Sequence, residues 1–190
     1  MKCLTYAESE AWFAAIGVTI GNHRVISFPQ RATKRRSIFL PNLELDEIEL
    51  ASLSTQLVDW LPNACERMLW LSHWETSPPD QTILFETIRR GCQESRRIID
   101  APGHLFQSSP YDRKDYDTRT TLDHEENALM WGLLLLMIVL NWNGYLVTPS
   151  TDCIALGDNS LAISSMDDAK IAEAYDITDR FNLKFREQSA

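Results

Sequence analysis

The chain has 190 residues, 44% of them hydrophobic, and carries a net charge of −9. That is enough apolar residue for a sizeable core in one domain, read over residues 1–190. The acidic balance argues against general binding to nucleic-acid phosphates, which needs basic surface, and it admits a basic partner.

Taken in order, Thr5 to Ile16 reads as a short helix, with Thr5 as cap and Glu8 as its capping-box partner. Ala11, Trp12, Ala15 and Ile16 fall on one face, and Gly17 is a plausible stop. Val25 to Phe28 reads as a strand. Gln30 to Ser37 holds Arg31, Lys34, Arg35 and Arg36, the one strongly basic run. No aromatic residue interleaves with these charges as a stacking partner for bases, so a solvated loop is the expected reading. Ile38 to Leu40 suggests a strand edge closed by Pro41. Asp46 to Leu61 reads as a helix whose stripe is Ile48, Ala51, Leu53, Leu57, Val58 and Leu61, ended by Pro62.

Met68 to Leu71 reads as a buried strand, Asp80 to Gly91 as a helix after Ser77-Pro78-Pro79, and Arg96 to Ile99 as a strand. Pro102-Gly103 is a turn, with His104-Leu105-Phe106 running on into a loop. Residues 107–121, rich in Ser, Asp, Arg and Tyr, are expected to form an exposed connection. The stretch from Asp123 to Trp142 contains an unbroken apolar run, Ala128 to Leu140. Leu and Met favour helix, and Asp123 with Glu126 forms a candidate capping box. Its polar residues lie at the ends, so the helix is expected to be central and fully buried. It is too short for a membrane span, which takes roughly 20 apolar residues. Tyr145 to Thr148, Cys153 to Leu156 and Ser160 to Ser164 are strands, the last two joined by a Gly157-Asp158-Asn159 turn. Ser165 and Asp168 open a final helix to about Phe181. This order of elements predicts an α+β or α/β layered domain, a mixed or antiparallel sheet packed against helices.

Chemistry-bearing motifs are scarce. His23, His73, His104 and His124 make no ligand spacing with one another or with cysteine, so no metal is expected. Four cysteines, Cys3, Cys65, Cys92 and Cys153, show no pair spacing, and the start of the chain lacks an apolar signal. Reduced thiols in a cytoplasm follow. Cys92 lies at a helix end whose dipole is the wrong sign to activate a thiol. A thiol-dependent enzyme using Cys92 or Cys65 is therefore the alternative, and an adaptor binding nucleic acid through Arg31 to Arg36 a further one. No glycine-rich phosphate loop or nucleophile elbow occurs among seven glycines, so no cofactor is expected.

Among six tryptophans, Trp74, between His73 and Glu75, is the candidate for a partly exposed anchor. Leu69-Trp70-Leu71-Ser72-His73-Trp74, Ala101-Pro102-Gly103-His104-Leu105-Phe106 and Asn141-Trp142-Asn143-Gly144-Tyr145-Leu146-Val147 together resemble small bacterial immunity-type proteins that accompany polymorphic or contact-dependent toxins. The resemblance spans roughly residues 5 to 165. It implies a non-enzymatic protein that neutralises one cognate protein toxin by tight occluding binding; with the reduced thiols, the acidic charge and the short apolar helix, the expectation is a cytoplasmic protein with no nucleic-acid and no membrane partner. The segment Tyr111 to Asp117 combines Tyr111 and Tyr116 with Asp112, Asp115 and Asp117, carboxylates suited to Arg or Lys on a basic toxin.

Overall fold

The computed structural model describes residues 2–4, 6–22, 25–28, 35–62, 67–73, 105–108, 120–139 and 141–189. In chain order the elements are β1 (Lys2–Leu4), α1 (Tyr6–Ala15), β2 (Thr19–Ile20), β3 (Ile26–Ser27), β4 (Arg36–Leu40), α2 (Glu47–Trp60) and β5 (Arg67–His73). Then come β6 (Leu105–Ser108), α3 (Thr120–Val139), β7 (Asn143–Val147), β8 (Cys153–Gly157), β9 (Ser160–Ser165), α4 (Asp168–Arg180) and β10 (Arg186–Ser189). Eight strands form one antiparallel sheet in the order β1-β6-β5-β7-β8-β9-β4-β10, and β2 pairs with β3 in a separate ribbon. The fold is α+β.

Alternation along the strands separates two cores, because successive side chains point to opposite faces. Leu69, Leu146, Ile154, Leu156, Leu161, Ile163, Ile38 and Leu40 face the layer built by α2, α3 and α4. Met68, Trp70, Val147 and Cys153 face the other way, beneath Phe13 of α1 and Ile26 of the ribbon. Trp70 meets Phe13 edge-to-face, with centroids 5.8 Å apart.

Local chemistry sets the helix ends. Asp46 caps α2 through Ile48 and Glu49 N–H, while Glu49 accepts from the Asp46 N–H, a complete capping box. Three helices end in the same Schellman hydrogen-bond pair, with Gly17, Asn141 and Asn182 at positive φ. Val18 N–H donates to Phe13 O, Trp142 N–H to Met137 O and Leu183 N–H to Thr178 O. Tryptophans then tie the helices together. Trp131 Nε1 donates to Ala51 O, Trp60 Nε1 donates to Lys170 O, and Lys170 Nζ donates back to Trp60 O, each at 2.8 Å.

Several expectations are corrected. The expected face of α1 holds in part: Trp12 and Ile16 are half-buried and pack against the core, but Ala11 and Ala15 are exposed, and the buried pair is Ser9 and Phe13, one helical turn apart, with Phe13 against Trp70. Ile48 belongs to the expected α2 stripe but is 81% exposed, while Trp60 and Ser54 are buried. β4 is not an edge, since β9 and β10 flank it. Leu105 to Ser108 form a strand between β1 and β5, so residues 107 and 108 leave the expected loop and Thr120 and Thr121 leave it for α3.

The apolar helix begins at Thr120, which places Asp123 inside its first turn rather than at its cap. Met130, Leu133, Leu134, Leu135, Leu136 and Met137 are buried, but Trp131 and Ile138 are half-buried and Val139 is 42% exposed. Full burial is thus not its state: the helix surfaces at its last residue, Val139. No helix among the described residues is long and apolar enough to cross a membrane.

The β8–β9 connection is a two-residue turn in which Asp158 and Asn159 both have positive φ, 51° and 55°, and Gly157 pairs with Ser160. That is the type I′ geometry, for which Asp-Gly is favoured over Asp-Asn. The Asn159 N–H donates to Asn141 Oδ1, a backbone contact that a glycine keeps. Asn159→Gly is expected to raise the thermal midpoint by about 1–2 °C, as a gain near 0.5 kcal/mol gives in a chain of this size. A calorimetric scan showing a lower midpoint would contradict the turn assignment.

Candidate interaction surface

The two helices α2 and α4 lie side by side on one face of the sheet, with their apolar sides turned to the core. Leu53, Leu57, Val58 and Trp60 of α2 and Ile171, Ala174 and Ile177 of α4 are buried. What each turns outward is acidic. Glu47, Glu49 and Asp59 are exposed on α2, and Asp168, Glu173, Asp176 and Asp179 on α4. Glu44 and Asp46, exposed in the β4–α2 connection, extend the same field.

The two basic groups of these helices, Lys170 and Arg180, are already engaged. Lys170 Nζ lies 2.7 Å from Glu173 and leans over the Trp60 ring. Arg180 donates to Gln56 Oε1 across the helix pair and to Asp176 O on its own helix. Most of the acidic charge is thus left to the solvent.

At one end of this face a cavity of about 450 Å³ opens between the β4–α2 connection and the α4–β10 connection. Glu44, Glu49 and Lys184 line it together with Leu45, Phe181 and Leu183.

A second polar centre lies at the far end of the hairpin strands and is interior. Arg35, 6% exposed, donates from Nε and Nη2 to Ser164 Oγ at 3.1 and 2.6 Å and from Nη1 to Thr151 Oγ1 at 3.4 Å. Its guanidinium stacks 3.6 Å over the Phe28 ring. Asp152, 5% exposed, accepts from Ser165 Oγ and Ser150 Oγ. Burial lowers the Arg35 pKa, and the neighbouring Cys153 and Asp152 oppose that shift. Every polar group here serves another, so the cluster reads as an internal lock joining β4 to the 148–152 turn. Arg36, its neighbour, pairs with Asp168 at 3.3 Å and Glu187 at 3.7 Å. Two of the four cations in the basic run are therefore used inside the chain rather than offered to phosphates. Arg31 and Lys34 lie outside the described residues.

Cys153 is a free thiol, fully enclosed, and burial pushes it up to about 12. It is no nucleophile at neutral pH. A thiol whose folded pKa exceeds its unfolded value keeps its stabilising contribution below about pH 9, and loses it as pH climbs from there through about 12. Urea midpoints measured from about pH 8 to 11 should fall more steeply for the native chain than for Cys153→Ala. Equal slopes would show that the buried thiol does not control the alkaline limb.

Trp74, Tyr111, Asp112, Asp115, Tyr116 and Asp117, the contact residues expected from the sequence, lie outside the described residues, as do Thr5, His23, Cys65, Cys92, His104, the expected helix 80–91 and the expected strand 96–99. The acidic helix pair was missed. A signal for it exists, since Glu173, Asp176 and Asp179 recur at a spacing of three along one side of a helix. Such spacing alone marks a solvated face, and only the packing of α4 beside α2 turns it into a broad surface. Among the described residues no group of three or more His, Cys, Asp or Glu is placed to hold a metal ion. No family model matches the chain, and no curated protein or solved structure is detectably similar to it.

Proposed function

We propose that this is a cytoplasmic immunity-type protein that binds a basic protein toxin through the outward face of α2 and α4 and neutralises it by covering its active site. The observation that carries the reading is the concentration of exposed carboxylates on that helix pair, Glu47, Glu49 and Asp59 beside Glu173, Asp176 and Asp179, of which, among the described residues, only Glu173 is paired with a cation, Lys170. Complementary charge speeds encounter and rejects wrong partners, which is what a single-target inhibitor requires. Ile48, 81% exposed in the middle of this charge, supplies an apolar contact for the partner. A non-enzymatic role fits the interior use of the polar clusters, since Arg35, Asp152 and Cys153 are closed to substrate. The sequence resemblance to immunity-type proteins points the same way. Trp74 and the segment Tyr111 to Asp117 are proposed as further contacts.

The test is capture of the partner from the native source on the immobilised full chain, followed by expression of the captured protein alone and together with this chain. A stoichiometric basic protein that stops growth alone and is harmless in co-expression is the expected result. A chain that emerges without such a protein, or a captured protein whose toxicity is unaffected by co-expression, would overturn the proposal.

A further inference from the structure

We propose that the cavity at the end of the acidic face receives an arginine side chain of the basic partner, together with the residue next to it. The inference rests on the reading of that face as the partner surface and adds to it an anchoring site and its ligand chemistry.

The walls of the cavity suit an arginine at both ends. Leu45, Phe181 and Leu183 supply apolar lining against which an alkyl stem can lie. Glu44 and Glu49 supply carboxylates at the same opening, against one ammonium from Lys184. Glu44 has no hydrogen-bond or ion-pair partner among the described residues. Glu49 is held in place, because its Oε2 accepts from the Asp46 N–H at 3.0 Å. A carboxylate fixed by a helix cap is a pre-oriented acceptor, and arginine's planar fork matches carboxylate geometry better than a lysine ammonium does.

The opposite wall is equally fixed. Phe181 and Asn182 form the Schellman end of α4, with Asn182 at a φ of 50° and Leu183 N–H bonded to Thr178 O at 3.0 Å. The cavity therefore stands between two capped helix ends. Its volume, about 450 Å³, exceeds that of one side chain and suits a short piece of extended peptide.

The experiment is an amide NMR titration of the full chain with N-acetyl-arginine amide, with N-acetyl-citrulline amide as the uncharged isostere. Saturable shifts of Asn42, Asn182 and Leu183 with the arginine probe are expected, and none with the citrulline probe. The double variant Glu44→Gln, Glu49→Gln keeps a residue able to close the capping box and should weaken the arginine probe about tenfold. Equal shifts from both probes, no shift up to about 20 mM, or unchanged affinity in the double variant would each overturn the assignment. The two readings fail separately. A chain whose cavity ignores the probe while charge reversal on α4 still releases a basic partner loses this inference alone. Probe binding in the cavity of a chain whose partner ignores charge reversal on α4 removes the wider surface instead.

Discussion

Replacing Trp70 with alanine should cost about 3–5 kcal/mol of stability, close to the limit for a single core substitution. Trp70 is fully buried in β5, near the middle of the sheet, where it pairs with Leu105 of β6 and Tyr145 of β7. On its own face it carries the ring of Phe13, and with it the docking of α1. Removing the indole opens a void between the sheet and α1 that neither can fill, because both are fixed by backbone hydrogen bonds. Phe13→Ala attacks the same contact from the other side, so the double variant should lose less than the sum of the singles. Ile48→Ala, at a site open to water, should change stability by less than about 0.5 kcal/mol. Urea unfolding of the four proteins measures all of this. Additive losses for Phe13 and Trp70 would mean that the aromatic pair is not what holds α1 on the sheet.

Arg35→Ala should cost about 3 kcal/mol, and Arg35→Lys should restore less than half of that. The guanidinium donates from two nitrogens to one Ser164 oxygen, reaches Thr151 with a third and covers Phe28. An ammonium has the charge but not the fork, and it cannot stack flat on a ring. The loss is large because the acceptors left behind are also enclosed: Ser164 is buried. A loss under about 1 kcal/mol for Arg35→Ala would show that the group behaves as a surface cation. The result also bears on the nucleic-acid alternative, since an Arg35 that holds the 148–152 turn in place is not free to meet a phosphate.

What the sequence disclosed follows from how local each signal is. α2 could be read because its apolar stripe is contiguous and Pro62 marks its end within one turn. The β8–β9 hairpin could be read because its turn chemistry and its flanking apolar residues are contiguous. α1 is helical as expected, but only Trp12 and Ile16 of its expected face pack against the core, and Phe13 is buried instead of the alanines. Apolar residues occur all round it, and the choice of Phe13 is made by Trp70, far away in the chain. β4 looked like an edge because its outer neighbour, Arg186 to Ser189, has no apolar alternation to announce a strand. The Arg35 lock was invisible for the same reason, since Ser164, Thr151 and Asp152 meet it only through the pairing of β4 with β9. The acidic surface was legible as net charge, but its location needed α2 and α4 to be placed side by side.

The most direct test of the account is the affinity of the captured partner for a triple variant, Glu173→Lys, Asp176→Lys, Asp179→Lys. All three side chains are exposed, cations at 176 and 179 suit the C-terminal end of the helix dipole, and the change at Glu173 gives up one surface ion pair with Lys170, a small cost, so the fold should persist. Measured by calorimetric titration at low salt, the dissociation constant should rise about 100-fold or more, and the native affinity should itself fall with added salt. A partner that binds the variant as tightly as the native chain, at the same salt, would contradict the assignment of this face.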